Sequence, residues 1–209
     1  MNDWQIVRHR VAIAGRVLEA GTDTEKAVAD AVGSMTTMPA AFAKKLAIAS
    51  LAYGNRWDAL PERLDRTRSR RDGLFYFLDL PDGAYELTAS VPGFGARYGT
   101  VSQSAAVSRD KQGNTKIVYV TLALQPTTVS GKVTGTGQKA GVFMAEVRVK
   151  GSGERTYSGA QGQYILAGIE PGVRTIEVSA QGYKAKSQPV TIPSPGAVHS
   201  VNFNLARDS

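Results

Sequence analysis

Two stretches of this 209-residue chain decide its fold: residues 72–94, DGLFYFLDLPDGAYELTASVPGF, and residues 161–183, QGQYILAGIEPGVRTIEVSAQGY. A shift of 89 positions places the first stretch on the second without a gap. Three glycine pairs then coincide: Gly73 with Gly162, Gly83 with Gly172, and Gly93 with Gly182. Few other positions are identical, so the glycines indicate a structural template shared by duplication or convergence. The repeat therefore predicts a chain of two related modules.

Short strands with alternating side chains fill both modules. In the first copy, Phe75 and Phe77 alternate with Tyr76 and Leu78 before the turn "LPDG", which is the period of two expected for a half-buried strand. Short strands separated by turn signals every ~8–12 residues are typical of a sandwich. We therefore predict a mainly β protein of two tandem Ig-like or prealbumin-like antiparallel β-sandwiches, with domains at 1–125 and 126–209.

The first module carries an insertion, at about 36–71, that the second module lacks. Thr36 or Thr37 is a candidate helix N-cap, Pro39 suits a first helical turn, and Gly54 suits the helix end. Apolar side chains fall on one helical stripe, which Ile48 and Leu51 widen: Phe42, Leu46, Ala49 and Tyr53. Two interpretations remain open, since the helix either packs over an open face of the first sandwich or docks another subunit.

Composition limits the class of protein. Hydrophobic residues make up 42% and charged residues 21% of the chain, which is ordinary for a soluble globular protein. The absence of cysteine excludes disulfides and thiolate metal sites, and no apolar run approaches the ~18 residues that predict a membrane span. The N-terminal "MNDWQIVRHRVAIAG" contains Asp3 and is interrupted by Arg8, His9 and Arg10, a poor export signal. We expect a cytoplasmic location in an assembled particle, with secretion by a non-classical route left open.

A basic cluster contributes much of the net charge of +7: "RLDRTRSRR" at 63–71. Such a cluster suits nucleic acid or an acidic membrane surface. No aromatic residue is interleaved with these arginines as a stacking platform, and no helix-turn-helix or zinc-finger pattern occurs. We therefore predict no nucleic-acid partner, and interpret the cluster as a solvated turn or as a protein contact.

The sequence offers no arrangement typical of catalysis. Its two histidines, His9 and His199, lack partners at metal-ligand spacing, and no G-x-S-x-G elbow is present. A Ser–His–Asp arrangement made by the fold is left open at this stage. Asp110 and Asn114 in "SRDKQGN" lack the further acids that the ~6–8 oxygen ligands of calcium require, and Asp79 and Asp82 in "LDLPDG" are interpreted as turn residues. We predict no catalytic residue, no metal and no cofactor.

The second module resembles the carboxypeptidase regulatory-like domain, a small sandwich with a transthyretin-like (prealbumin-like) fold. The residues that carry the resemblance are "VSGKV", "MAEVRVKG", "QGQYILAGIEPG", "TIEVSAQGY" and "VNFNL", within 128–205. Arg174 departs from the aromatic residue common after the turn glycine, whereas Tyr85 of the first module keeps it. The first module looks like the same domain, stretched by its insertion. In metallocarboxypeptidases this domain is an accessory beside the zinc catalytic domain, so the resemblance implies no peptidase activity.

Such modules also occur in phage-tail-like contractile injection systems, which the whole pattern resembles more weakly. The leading hypothesis is thus a non-enzymatic structural or adaptor protein of a large assembly, a cap or accessory component of such a particle. The expected partners are sheath, tube or cap-like protein subunits, and a homo-oligomer is left open. Tryptophan and arginine are enriched at interface centres, so the predicted docking contacts are Trp57, Arg63, Arg66, Arg68, Arg70 and Arg71.

The alternative is a carbohydrate- or surface-binding module at the cell envelope. Aromatic platforms such as Tyr76, Tyr98 or Tyr183 would stack on sugars in that case. A third possibility, an enzyme, has the least support from the sequence.

Overall fold

The computed structural model describes residues 9–21, 26–138 and 140–208. Its contacts form two compact units. The first unit runs to Gly93 and resumes at Thr100–Leu124, whereas the second takes Phe94–Gly99 and the chain from Gln125 onward. The prediction about export depends mostly on residues 1–8, which lie outside the described residues.

The described residues of the first unit form two sheets, one α-helix and a short 3-10 helix at Gly54–Arg56 that follows it. Its elements are β1 (Val11–Glu19), β2 (Val32–Thr37), α1 (Ala40–Tyr53), β3 (Arg66–Arg68), β4 (Leu74–Leu78), β5 (Gly83–Ser90), β6 (Val101–Arg109), β7 (Thr115–Lys116) and β8 (Val118–Leu124). One sheet has the strand order β4-β1-β8 and the other has the order β3-β2-β5-β6-β7.

The second unit repeats this plan without the helix. Its strands are β9 (Thr128–Gly135), β10 (Glu146–Val149), β11 (Arg155–Tyr157), β12 (Gln163–Ala167), β13 (Gly172–Ala180), β14 (Tyr183–Ile192), β15 (Val198–Ser200) and β16 (Phe203–Leu205). They form the sheets β12-β9-β15, with β16 also on β9, and β11-β10-β13-β14.

Most strand pairs are antiparallel, and the prediction of a mainly β protein built from sandwiches is confirmed. The first strand of each unit has parallel neighbours, which the sequence did not predict: β1 pairs with β8, and β9 pairs with β15 and β16. β8 and β15 arrive from the opposite sheet of their unit, and β16 follows β15, so no hairpin joins any of the three to the first strand and requires an antiparallel pair.

One of the three repeated glycine pairs, Gly73 with Gly162, is explained by a close approach of two backbones. Gly73 and Gly162 have φ of 79° and 82°, values that favour glycine. Their carbonyls accept the N–H groups of Val17 and Val133, both at 2.9 Å. A Cβ on Gly73 would lie 2.5 Å from the Val17 carbonyl oxygen, and one on Gly162 would lie 2.3 Å from that of Val133. Only glycine lets each turn lie against its first strand.

A buried serine forms the same bracket in both units. Ser69 Oγ accepts the Ala31 N–H at 2.9 Å and donates to the Val28 carbonyl at 2.7 Å. In the second unit Ser158 Oγ accepts the Ala145 N–H at 2.9 Å and donates to the Val142 carbonyl at 2.6 Å. Both serines are almost completely buried, so these bonds satisfy polar groups that water does not reach.

Arg174 performs the task of the tyrosine it replaces. The Tyr85 hydroxyl donates to the Pro81 carbonyl at 2.8 Å, whereas Arg174 Nε donates to the Glu170 carbonyl at 3.0 Å. Glu170 stands at the position equivalent to Pro81 in the 89-residue shift. The two units thus use different side chains to donate a hydrogen bond to the carbonyl at the equivalent position of the turn.

Candidate docking surface

Helix α1 is attached to the first sandwich by its first two turns. Pro39 is its N-cap, and a Cβ on Gly83 would lie 2.4 Å from Pro39 Cγ. Phe42 is buried with its ring edge toward Tyr85, at 6.1 Å between ring centroids, and Leu46 is buried one turn later. Packing over the sandwich, one of the two sequence interpretations, thus describes the start of the helix.

The predicted ends of the helix have different outcomes. Thr36 and Thr37 lie in β2, so the prediction that either of them is the N-cap is wrong. The strand continues further than its alternation indicated, and the Thr36 hydroxyl donates to the Glu86 carbonyl at 3.3 Å. The helix end at Gly54 is confirmed, with φ of 53° and its N–H bonded to the Ser50 carbonyl.

The outward side of α1 is apolar as well. Ile48 is 69% exposed and Leu51 is 83% exposed. These residues are three apart and therefore lie on one side of the helix, with Lys44 and Lys45 one turn earlier on the same side. We call Lys44, Lys45, Ile48 and Leu51 the α1 outer stripe. A large exposed apolar surface is informative because most monomers keep such surfaces small.

A groove begins where α1 ends. It has a volume of about 430 Å³, and the Tyr53 and Trp57 rings form one wall with centroids 6.0 Å apart. Its lining is mainly apolar and includes Ala49, Tyr53, Trp57, Leu60 and Leu64, with Glu62 and Arg63.

Arg63 holds the loop after α1 together. Its guanidinium bonds both carboxylate oxygens of Asp65 at 3.1 and 3.2 Å, and its carbon lies 4.7 Å from the centroid of the Trp57 ring. The Arg63 side chain is only 13% exposed. A bidentate, partly buried pair of this kind is strong, so Arg63 positions Trp57 from within the loop.

The other predicted contacts lie in or beside strand β3. Arg66 and Arg68 belong to β3 itself, and Arg66 Nη1 donates to the Asp58 carbonyl at 3.5 Å. Arg68 and Arg70 line a second groove of about 340 Å³, where Arg70 lies 5.5 Å from the centroid of the Tyr76 ring. Arg71 is exposed in the turn before β4. The structure therefore brings Trp57 and Arg63 together, with Arg66 close by, and places Arg68 and Arg70 at a separate groove.

The segment from Thr36 to Arg71 is strongly basic. It contains eight Lys or Arg residues against three Asp or Glu residues. One of the acids, Asp65, is committed to Arg63. A partner surface that complements this segment is therefore acidic around an apolar centre.

The tyrosines of the alternative carbohydrate hypothesis lie in different surroundings. Tyr183 packs against the core of the second unit, and its hydroxyl lies 3.3 Å from Gln138 Oε1. Tyr98 contacts the Phe94 ring at a centroid distance of 6.1 Å. Tyr76 alone of the three lies on a solvent-facing sheet surface, beside Tyr119, which the sequence reasoning missed although the alternation of "VYVTLAL" indicates that it points outward.

Two further findings concern the described part of the chain. No three His, Cys, Asp or Glu residues come together there as ligands for a metal ion. No helix in those residues is long and apolar enough to cross a membrane.

Residues 129–209 match the family model described as CarboxypepD_reg-like domain. This confirms the predicted carboxypeptidase regulatory-like domain in the second module, while the same assignment for the first module stays a prediction. No curated protein sequence matches the chain.

Three solved structures illustrate the likeness of the whole chain. The Bacillus anthracis TIE protein is 12% identical with a TM-score of 0.43, over 93% of this chain and 34% of that one. The shaft pilin SpaA of Lactobacillus rhamnosus GG is 12% identical with a TM-score of 0.38, over 94% and 97%. The streptococcal ancillary pilin is 13% identical with a TM-score of 0.37, over 94% and 62%. This chain thus spans about a third of the first protein and less than two thirds of the last, and the low scores carry no conclusion about function.

Proposed function

We propose that this protein is a non-enzymatic structural or adaptor subunit of a large protein assembly, and that it docks through the segment between β2 and β4. The observation that carries the proposal is the α1 outer stripe. Phe42 and Leu46 already attach the helix, so the fold of the first unit does not account for Ile48 and Leu51 on the outside. An apolar centre bordered by lysines is the composition of a protein interface rather than of a solvated face.

The six contacts predicted from the sequence keep two different roles in this proposal. Trp57 lines the apolar groove, and the Arg63 guanidinium carbon lies 4.7 Å from the centroid of its ring. Arg66, Arg68, Arg70 and Arg71 continue the basic surface along β3 and its following turn. Arginine suits this position because its planar guanidinium bonds carboxylates in pairs.

The test is affinity purification of the tagged full chain from its own cells, with mass spectrometry of the retained proteins. Leu51→Glu places a carboxylate in the centre of the α1 outer stripe. Ile165→Glu is the matched control, because Ile165 is an exposed apolar residue of the second unit. We expect Leu51→Glu to lower partner recovery about tenfold or more, as loss of an interface centre does, and Ile165→Glu to leave it unchanged. Equal recovery by all three proteins contradicts the docking assignment.

We further propose a setting for this subunit: the cap or an accessory position of a phage-tail-like contractile injection particle, assembled in the cytoplasm. This setting is supported by analogy of the domain pattern alone, and analogy is a weak guide to function. Co-enrichment of sheath, tube or cap-like subunits from the cytoplasmic fraction is the expected result. Recovery only with envelope material contradicts the setting and favours the alternative of a surface-binding module.

We also propose that the two domains are 1–125 and 126–209. Expression of residues 126–209 alone tests this boundary, because a domain has its own hydrophobic core and folds by itself. Cooperative unfolding of this fragment by circular dichroism is expected. A fragment without folded structure contradicts the boundary.

A further inference from the structure

The outer face of the β4-β1-β8 sheet carries two tyrosines on either side of one small residue. Ala14 of β1 is paired with Tyr76 of β4 and, on its other side, with Tyr119 of β8. Neighbouring strands lie ~4.8 Å apart, so the two tyrosines stand ~10 Å apart across the alanine. We call Tyr76, Ala14 and Tyr119 the tyrosine row.

The tyrosine row forms a shallow open trough. Tyr119 is 78% exposed, and Ile117 beside it is also exposed. The trough has a volume of about 400 Å³ and is lined by Leu74, Arg16 and Thr121 in addition to the row. That volume suits a small ligand or one or two units of a polymer.

The second unit shows that the fold does not require this row. By the strand pairing of β9, the equivalent positions are Ile165, Ser130 and Ser200. Two tyrosines and an alanine are thus replaced by one aliphatic and two hydroxyl side chains on the same architecture. The equivalent sheet of the second unit forms without aromatic side chains at these positions. Folding therefore does not require the tyrosine row, and binding is the better explanation for it.

Basic side chains outnumber acidic ones near the trough, although Glu62 lines the adjoining groove together with Arg70 and Tyr76. Arg16 is in the lining, Arg70 lies 5.5 Å from the Tyr76 ring centroid, and Lys116 is exposed beside Ile117. Among the described residues that line the trough, none is acidic. Asp72 is a second acid nearby, and its carboxylate accepts the Leu74 N–H at 3.0 Å. Charge complementarity therefore favours an anionic ligand.

We propose that the tyrosine row binds an acidic polysaccharide, one whose sugar rings carry carboxylates. A sugar ring has an apolar C–H face and a rim of hydroxyls, which match an aromatic ring and its phenolic hydroxyl. Two rings ~10 Å apart contact separated units of one chain, and a flat open trough lets the polymer extend at both ends. Arg70, whose guanidinium carbon lies over the Tyr76 ring, is placed to pair with a carboxylate of a sugar beside that ring. Arg70 also belongs to the basic segment of the proposed docking surface, whereas Ala14 and Tyr119 lie in β1 and β8 outside that segment, so substitution of Tyr119 tests this site separately.

The experiment is electrophoresis of the full chain through native gels that contain polygalacturonate or, for comparison, the neutral polymer dextran. We expect polygalacturonate to retard the protein and dextran to leave it unretarded, with weaker retardation as salt rises from about 50 to 200 mM. Tyr119→Ala raises the dissociation constant about tenfold, equivalent to about 1.4 kcal/mol. Tyr119→Phe keeps the ring and retains binding. Tyr157→Ala, at an exposed tyrosine of the second unit, is the control and binds like the unchanged protein.

Several results overturn the proposal. They are equal retardation by both polymers, retardation by neither, or a Tyr119→Ala protein that binds like the control. Because Tyr119 is exposed, Tyr119→Ala is expected to fold, and an unchanged tryptophan emission spectrum checks this. If Tyr119→Ala instead loses a protein partner and polygalacturonate binds no variant, the face is a protein interface and the polysaccharide assignment is wrong.

Discussion

Ser69→Ala tests the buried serine bracket that both units share. The Ser69 hydroxyl accepts one backbone N–H, from Ala31, and donates to one backbone carbonyl, of Val28. Its removal takes away both bonds without a large change in volume. The residue is 4% exposed, so water cannot replace the lost partner without opening the loop.

The magnitude follows from the two bonds and the group left unpaired. A net hydrogen bond contributes about 1 kcal/mol, and a buried donor without a partner costs about 1–3 kcal/mol. We expect Ser69→Ala to lower the free energy of unfolding of the first unit by about 2–4 kcal/mol. Ser108→Ala, at an exposed serine of β6, is the control and should change the free energy of unfolding by less than about 0.5 kcal/mol.

Guanidinium unfolding followed by tryptophan fluorescence is the appropriate assay. Trp57 lies in the first unit and no tryptophan occurs after it in the sequence, so a change in Trp57 emission reports the first unit. This matters because a single midpoint does not describe a protein with two units that unfold separately. If Ser69→Ala shifts the midpoint no more than Ser108→Ala does, the bracket contributes no stability and the reasoning is refuted.

Three further changes probe other features of the two units. Burial raises the pKa of Tyr85 to about 12 from 10.0. Between these two pH values the native state keeps a proton that the unfolded chain loses. The free energy of unfolding should therefore fall by about 1.4 kcal/mol per pH unit between pH 10 and 12. Tyr85→Phe should flatten that fall in fluorescence-detected unfolding, and an unchanged slope would contradict the burial argument. In Gly162→Ala the new Cβ would lie 2.3 Å from a carbonyl oxygen, so the free energy of unfolding should fall by about 2–4 kcal/mol. Gly182 has a similar φ of 79° but open space around it, so Gly182→Ala should lower the free energy of unfolding by only about 1 kcal/mol. Equal losses, measured by circular dichroism, would exclude a steric cause. Arg63→Gln should release the Trp57 ring, so the tryptophan emission should shift to longer wavelength. The loop after α1 should also be cut faster by chymotrypsin, which does not cleave at arginine. Unchanged emission would mean that Arg63 does not position the ring.

Local pattern was sufficient to predict the repeat and the class of fold. Alternation along strands such as 74–78 follows from the geometry of a strand, which sends neighbouring side chains to opposite faces. Gly73 and Gly162 were visible as a pair because their positive φ constrains the residue type itself. Alternation and the positive φ of a turn are local properties, so a single sequence shows them, whereas the close approach of these two glycines to Val17 and Val133 is not local.

The N-cap prediction failed for a reason that is not local. Threonine suits both a cap and a strand, and the pairing of Thr37 with Glu86 of β5 selects the strand. Ser69 and Ser158 were likewise overlooked, because a serine between arginines or before a glycine has the pattern of a surface loop. Their burial comes from residues more than ten positions away that close over them.

The sequence by itself determined that two sandwich modules exist, where the helix lies and ends, and that the segment before β4 is basic. Only the tertiary structure decided which side chains are paired, which are exposed and which lie side by side on neighbouring strands. It turned Arg63 inward onto Asp65, left Ile48 and Leu51 outside, and aligned Tyr76 with Tyr119 across Ala14. The physical reason is that composition and periodicity are properties of neighbouring residues, whereas burial, ion pairing and strand register depend on residues that only folding brings together.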